Sequence, residues 1–266
     1  AARGRRQRTA LPSKRGPRTQ YSDAELLARI RQVLATSEWV GEGHRKAWAQ
    51  LRAAGVRTSK PRVLRLMREA NLLAPTRTGA PRGPRAHDGK ITTERPDEMW
   101  GTDGTTTMTG EGQATIFVVV DHCTSECLGL HATARGNRFE ALEPVHQAVT
   151  EVFGGVDEKI AAGVQLRHDH GSVYTSEDFQ REIRFLGLES SPAFVRAPEG
   201  NGCAERFIRT LKEQLLWLRF FPAIAELNAA LADFRVRYNQ RWRLERHDYR
   251  APAEVRAAFM ALETAA

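Results

Sequence analysis

Residues 114–121 read Ala-Thr-Ile-Phe-Val-Val-Val-Asp, an apolar run closed by an acid. A strand with one wet face alternates apolar and polar residues; a continuous run like this is the signature of a strand covered on both faces. Outward from it, a turn leads to a second strand over residues 126–132. Residues 139–153 carry helical periodicity, 164–169 (VQLRHD) read as a strand, 176–186 as a helix and 188–192 as a short strand. Helices follow over 204–218 and 227–238. Upstream, Met-Trp-Gly-Thr-Asp-Gly-Thr (99–105) is a short extended segment. Hairpin and strand–helix–strand units together predict an α/β domain with a mixed sheet.

The first third of the chain has a different grammar. Ser22 or Asp23 caps a helix to about residue 35, with Leu26, Leu27, Ile30 and Val33 on one face. A second helix spans 44–54 and stops at Gly55. A third opens at Ser59 with Pro61 in its first turn and runs to about residue 72. Val63, Leu66, Met67 and Ala70 form its apolar stripe; Lys60, Arg62, Arg65 and Arg68 decorate the rest. Two helices joined by a short glycine-containing turn, the second one basic, fit a helix-turn-helix that contacts DNA phosphates. The competing reading is a three-helix bundle with a solvated basic face. Residues 1–21 form a basic arm, with seven Arg or Lys in the first 20 positions and nothing to bury. Residues 76–97 form an extended basic linker rich in Pro and Gly. The domains are therefore 1–21, 22–75, 76–97 and 98–266, the last ending in C-terminal helices.

The balance of 40 Lys plus Arg against 32 Asp plus Glu gives a net charge of +8, which favours an anionic partner. The longest apolar run, near residues 115–120, is far short of the ~20 residues a spanning helix needs, so no membrane role is expected. The first 20 residues lack the apolar segment of a secretory signal. Three cysteines, Cys123, Cys127 and Cys203, suit a reducing cytoplasm. The Ala at position 1 points to a trimmed or processed product. The five tryptophans, Trp39, Trp48, Trp100, Trp217 and Trp242, are assigned to core or interface.

Three acids stand at chemically meaningful places. Asp103 lies in the extended segment, Asp169 ends a strand, and Glu205 opens a helix after Pro-Glu-Gly-Asn-Gly-Cys-Ala. A carboxylate at a strand end is costly unless it is paired or bound to metal, and sites form at strand C-termini in α/β sheets. Three hard oxygen ligands suit Mg²⁺ or Mn²⁺. From Glu205, Arg209 and Lys212 fall on one helix face, where they either hold DNA phosphates or form an ordinary surface pair. Ile208, Leu211, Leu215 and Leu218 are expected to face the core. His168 and His170 flank Asp169 and, two residues apart on a strand, point the same way with Asp169 opposite, which argues against zinc. Asp121 is read as a structural turn residue.

Trp-Gly-Thr-Asp-Gly-Thr (100–105), His-Asp-His-Gly-Ser-Val-Tyr-Thr-Ser (168–176) and Asn-Gly-Cys-Ala-Glu-Arg-Phe-Ile-Arg-Thr-Leu-Lys (201–212) stand in order, with 35 residues between Asp169 and Glu205. In this the chain resembles the DDE transposases of the retroviral integrase superfamily, and most of all the second-reading-frame products of bacterial two-frame insertion sequences. A Tyr-Asn-Gln-Arg segment at 238–241 and Ala-Pro-Ala-Glu at 251–254 extend the likeness. It implies an RNase H-like fold with a mixed five-stranded sheet flanked by helices, behind a small all-α helix-turn-helix domain. It implies a catalytic and metal-binding triad of Asp103, Asp169 and Glu205, served by two Mg²⁺ or Mn²⁺ ions. DNA contacts would come from Lys60, Arg62, Arg65, Arg68, Asn201, Arg209 and Lys212. Terminal inverted repeats and target DNA would be the substrates, with a homo-oligomer on DNA and an upstream-frame helix-turn-helix partner or fusion. The chain departs from the family at His168, where Ser is common, and at Gly200, where Asp is common; neither touches the triad. The other reading is a catalytically silent DNA-binding regulator.

Overall fold

The computed structural model describes residues 19–75, 93–193 and 201–264. Most of the predicted basic arm and linker, and Gly200, lie outside the described residues. The chain divides into two compact units, Ala1–Thr76 and Arg77–Ala266.

The first unit has three helices, α1 (Asp23–Thr36), α2 (His44–Ala53) and α3 (Lys60–Glu69). Ser22 and Glu25 close a capping box at the start of α1. Gly55, at φ 78, turns the chain out of α2, and the Ser59 hydroxyl accepts the Arg62 N–H at the start of α3. Leu26, Ile30, Leu51, Val63 and Met67 meet in one small core. The third helix is shorter than predicted because Asn71 enters the left-handed region at φ 54.

The second unit is built on a five-stranded sheet in the order β3-β2-β1-β4-β5. The strands are β1 (Met99–Thr109), β2 (Gly112–Asp121), β3 (Cys127–Thr133), β4 (Gln165–His168) and β5 (Glu189–Pro192). The pairs β1–β2 and β2–β3 are antiparallel, while β1–β4 and β4–β5 are parallel. The predicted mixed sheet is therefore present. The segment around Asp103 is not short: β1 runs eleven residues and forms a long hairpin with β2. Its Thr-rich second half has the β-branched character strands favour, without the apolar signal that marks β2.

Helices α4 (Arg138–Phe153), the one-turn α5 (Ser172–Thr175) and α6 (Glu177–Phe185) connect the parallel part. Phe117, Val119 and Leu166 pack with Leu142, Val145 and Val149 of α4 and with Phe179 and Ile183 of α6. Ile116, Val118 and Val120 alternate to the other face and are also fully buried. This explains the unbroken apolar run of β2. The second helical layer comprises α7 (Gly202–Leu211), α8 (Ile224–Arg241) and α9 (Pro252–Thr264). Phe207 of α7 packs edge-on against Tyr238 of α8 with ring centroids 4.8 Å apart.

Strand β3 is an edge, and the protein covers its backbone with side-chain amides. Asn239 both accepts from and donates to Cys127, at 2.9 Å each, and Asn228 does the same to Ala132 at 2.8 Å. Gln147 accepts the Leu130 N–H at 3.0 Å. Side chains thus occupy the ladder positions another strand would take. The Tyr238–Asn239 pair in the C-terminal resemblance is explained by packing and edge capping.

Candidate active site

Parallel pairing places two of the predicted acids side by side. Gly101 of β1 is level with Arg167 of β4, so Asp103 and Asp169, each two residues further on, leave adjacent strands at the same level. Neighbouring strands lie ~4.8 Å apart. The third acid arrives from α7. Asn201, just before that helix, donates its side-chain N–H to the Thr102 carbonyl at 2.8 Å, which moors the helix start beside Asp103; Glu205 follows one turn on.

The electrostatics record this convergence. Burial raises the Asp103 pKa above 3.8, and the charge of Asp169 adds to the rise, while the Gly104 N–H and the Lys212 ammonium oppose it. Glu205 is raised by burial and then by Asp103. One oxygen of Asp103 accepts the Gly104 N–H at 2.7 Å, and one of Asp169 accepts the Gly171 N–H at 2.7 Å. Among the described residues none of the three carboxylates sits in an ion pair. No three His, Cys, Asp or Glu side chains among those residues are gathered tightly enough to hold an ion by themselves. Like charges in proximity disfavour one another's ionisation. The donor set is oxygen only and holds no ion pair among the described residues, which fits a hard divalent cation.

The neighbouring residues sort themselves by geometry. Both ring nitrogens of His168 are engaged, with the Asp169 carbonyl at 2.6 Å and Ser190 Oγ at 2.8 Å, and its ring stacks on Tyr174. His170 Nε2 meets the Ala193 carbonyl at 2.6 Å. His168 is buried and His170 exposed, and both rings are tied to strand β5 or the residue after it. Asp121 is fully buried and accepts from Asp97 N, Thr124 N and Thr124 Oγ1; it closes the β2–β3 turn. Arg256 of α9 binds Asp97 and Glu126 beside it.

The predicted DNA contacts are placed unevenly. Arg62 bonds Asp23 and the Tyr21 carbonyl, and Arg65 bonds Asp23 and Glu69; both brace α3 on α1. Lys60 Nζ lies 4.6 Å over the Trp48 ring, and Arg68 is exposed. Arg209 is exposed and pairs with Glu213 at 2.9 Å. Asn201 is buried against β1, where its amide serves the Thr102 carbonyl. Leu218, expected in the core, is 55% exposed, and so is Trp217 at 69%. The helix register changes before them.

Sequence reasoning missed the seat beneath Asn201. A Cβ on Gly101 would lie 2.7 Å from Asn201 Oδ1 and 2.9 Å from His122 Nε2. Burial holds the His122 imidazole neutral, its pKa down to about 4. A glycine inside a strand signals such close approach. Gly101→Ala should displace Asn201 and with it the start of α7. A shift of about 1 Å can lower a rate by roughly 10²-fold, so kcat for joining should fall by about that factor while KM for DNA holds. Asn201→Ala should do the same. A raised KM with unchanged kcat in Asn201→Ala would instead make it a DNA contact.

A mixed β3-β2-β1-β4-β5 sheet between helical layers, with acids from β1, the β4 end and α7, defines an enzyme of the polynucleotidyl-transferase class. Residues 93–198 and 186–252 match the profiles described as integrase core domain, and 21–79 match an HTH-like domain. The chain is 30% identical over 248 residues to Transposase InsD for insertion element IS2A/D/F/H/I/K of Escherichia coli, covering 90% of this chain and 81% of that protein. It has the same identity to Transposase InsD for insertion element IS2-9 of Escherichia coli strain K12, covering 79% of it. A cryo-electron microscopy structure of the simian T-cell lymphotropic virus intasome shares the fold, with a TM-score of 0.52, 18% identity, and 88% of this chain and 74% of that one covered. The chain belongs to the DDE DNA transposases of the retroviral integrase superfamily. Among the described residues no helix is long and apolar enough to cross a membrane.

Proposed function

We propose that Asp103, Asp169 and Glu205 hold the divalent cations with which this transposase cuts and joins DNA. The observation that carries the reading is the convergence of three carboxylates from three separate elements, mutually repelling and without an ion-pair partner among the described residues. When bound, Mg²⁺ or Mn²⁺, as two ions, would activate the attacking oxygen and stabilise the leaving one in an in-line displacement. The chain's own groups arrange the rest. The Gly104 and Gly171 N–H groups fix one oxygen of each aspartate, which leaves the others for ligation. Lys212, whose charge reaches Asp103, and Arg209 are placed to hold the phosphates of a DNA end. In the first step water attacks the phosphorus at the element's end and frees a 3′-hydroxyl. In the second that hydroxyl attacks a target phosphodiester, whose own 3′-oxygen departs.

The substrates on this reading are terminal inverted repeats and target DNA. The helix-turn-helix grips the repeat through Lys60 and Arg68, on a helix that Arg62 and Arg65 brace against α1. Bringing two ends together calls for several copies of the chain on DNA, joined by an upstream-frame helix-turn-helix protein as partner or fusion. The reaction takes place at the nucleoid, in the cytoplasm. The test is joining of labelled oligonucleotides carrying the DNA that flanks the gene, with Mg²⁺ or Mn²⁺ or with EDTA. Products that need the cation and the acids are expected; products that persist in EDTA would overturn the metal assignment.

A further inference from the structure

Three of four consecutive side chains after α7 are large, apolar and open to water: Trp217 at 69%, Leu218 at 55% and Phe220 at 65% exposed. Their placement follows from a change in helix type. After Leu211 the chain makes a π-helical turn, Lys212–Leu216, closed by the Trp217 N–H donating to the Lys212 carbonyl at 2.9 Å. In an α-helix that N–H would reach Glu213. The extra residue rotates everything after it and sets Trp217 above Lys212. Glu205, Arg209 and Lys212 already share one face, so the π turn extends the stripe that begins at Glu205 to Trp217. Single π turns of this kind are frequent at functional sites.

The distance has a use. Twelve residues of helix rise roughly 16–18 Å, which is about five nucleotides of a DNA strand at ~3.4 Å each. A DNA end engaged at Glu205 and running along the basic stripe therefore reaches Trp217 about five nucleotides from the reacting phosphate. In the run at 217–220 one cation, Arg219, stands between Leu218 and Phe220, and its guanidinium lies 5.0 Å over the Phe221 ring. Aromatic rings interleaved with cations are how proteins hold unpaired bases. The core of a protein–protein interface is depleted in lysine, whereas Lys212 shares the helix face that leads to this run.

We propose that Trp217, with Phe220 three residues further on, is a nucleobase-stacking platform that captures unpaired bases of the DNA end about five nucleotides from the cleavage point. This rests on the reading of Asp103, Asp169 and Glu205 as the reacting centre. It adds a requirement for strand opening, and the platform accepts any base, because every base has a π face.

The full chain with Asp169→Asn binds without cutting, so capture can be measured apart from chemistry. The probes are a forked duplex with five unpaired thymidines at one end, the blunt duplex of the same sequence, and a fork carrying 2-aminopurine at successive unpaired positions. Adding Trp217→Ala should weaken fork binding about tenfold, within the ~1–3 kcal/mol typical of one stacked base, and leave blunt-duplex binding within twofold. The 2-aminopurine signal should change on binding in a window near the fifth nucleotide and be lost in Trp217→Ala, while Trp217→Phe retains most of it. Equal effects on fork and blunt DNA, or on neither, would overturn the platform. So would a fall in the molar mass of the free protein on Trp217→Ala with fork binding intact, which would make the patch a contact between copies. Joining by Asp169→Asn alone, measured separately, sinks the triad and leaves the capture result standing.

Discussion

Asp169→Asn loses cleavage and joining by about a thousandfold or more, with the fold intact. The magnitude follows from the several kcal/mol that metal assistance contributes to phosphoryl displacement, at tenfold per ~1.36 kcal/mol. A folded, DNA-binding variant that joins ends at the wild-type rate would remove Asp169 from the triad. A second measurement needs no DNA. Cation that binds only the folded state stabilises it by about 2.7 kcal/mol at a hundredfold its Kd. Thermal unfolding of the wild type should therefore rise with added Mg²⁺, and that of Asp169→Asn should not. Asp103 supplies the sign of the pH dependence. Its folded-state pKa lies above the ordinary 3.8 because burial and Asp169 disfavour its charge. Ionising it thus costs stability, and the metal-free protein weakens as pH rises through the carboxylate range. In EDTA at neutral pH, Asp103→Asn should unfold at a higher temperature than wild type. The gap should close as the pH falls and Asp103 takes up its proton. A variant less stable than wild type at neutral pH would contradict the repulsive cluster.

Burial explains which parts of the fold are legible in the sequence. Strand β2 was legible because burial on both faces leaves no polar position to break the run. The three acids stand out through their motifs and spacing, and their assignment to the triad is the proposal that the Asp169→Asn experiment tests. Strand β1 was half-hidden: glycines at 101 and 104 and the threonines from 105 to 107 resemble a loop until the hairpin pairs every residue from Trp100 to Thr109 with β2. Asn201 shows the limit more sharply. A polar residue in a loop before a basic helix looks like a DNA contact, yet its side chain turns inward to the Thr102 carbonyl. That choice depends on Gly101 and His122, which are distant in sequence. The π turn is equally invisible to periodicity, since one extra residue displaces every later position from its expected face. An unbroken α-helical phase puts Leu218 in the core, and it lies outside because the phase shifts at Lys212. The Ala-rich stretch of the C-terminal helix α9 carries little amphipathic contrast to mark its ends; Arg256 fixes it through Asp97 and Glu126.

Gly129→Ala should leave little folded protein. Gly129 lies in β3 opposite Val119, directly beneath α4. A Cβ there would stand 1.9 Å from the Pro144 carbonyl oxygen, 2.6 Å from its carbon and 2.8 Å from its α-carbon. All three are backbone atoms, so no rotamer change relieves the clash. Neither partner is free to move. The β3 backbone is held by β2 on one side and by Asn228, Asn239 and Gln147 on the other. Helix α4 is held by Leu142, Val145 and Val149 in the main core. Lifting the helix would open that core along its length. Overpacking costs ~1–3 kcal/mol where side chains can yield; with backbone on both sides about 3 kcal/mol or more is expected, against a total stability of about 5–15 kcal/mol. Urea unfolding measures it, with Gly155→Ala as the control. Nothing lies within 4 Å of a Cβ at Gly155, so that change should stay within about 0.5 kcal/mol. Equal midpoints for the two variants would mean that α4 rides on the sheet loosely enough to give way. The glycine at 129 would then be incidental, and the close helix–strand approach would not be what fixes α4 across the hairpin that carries Asp103.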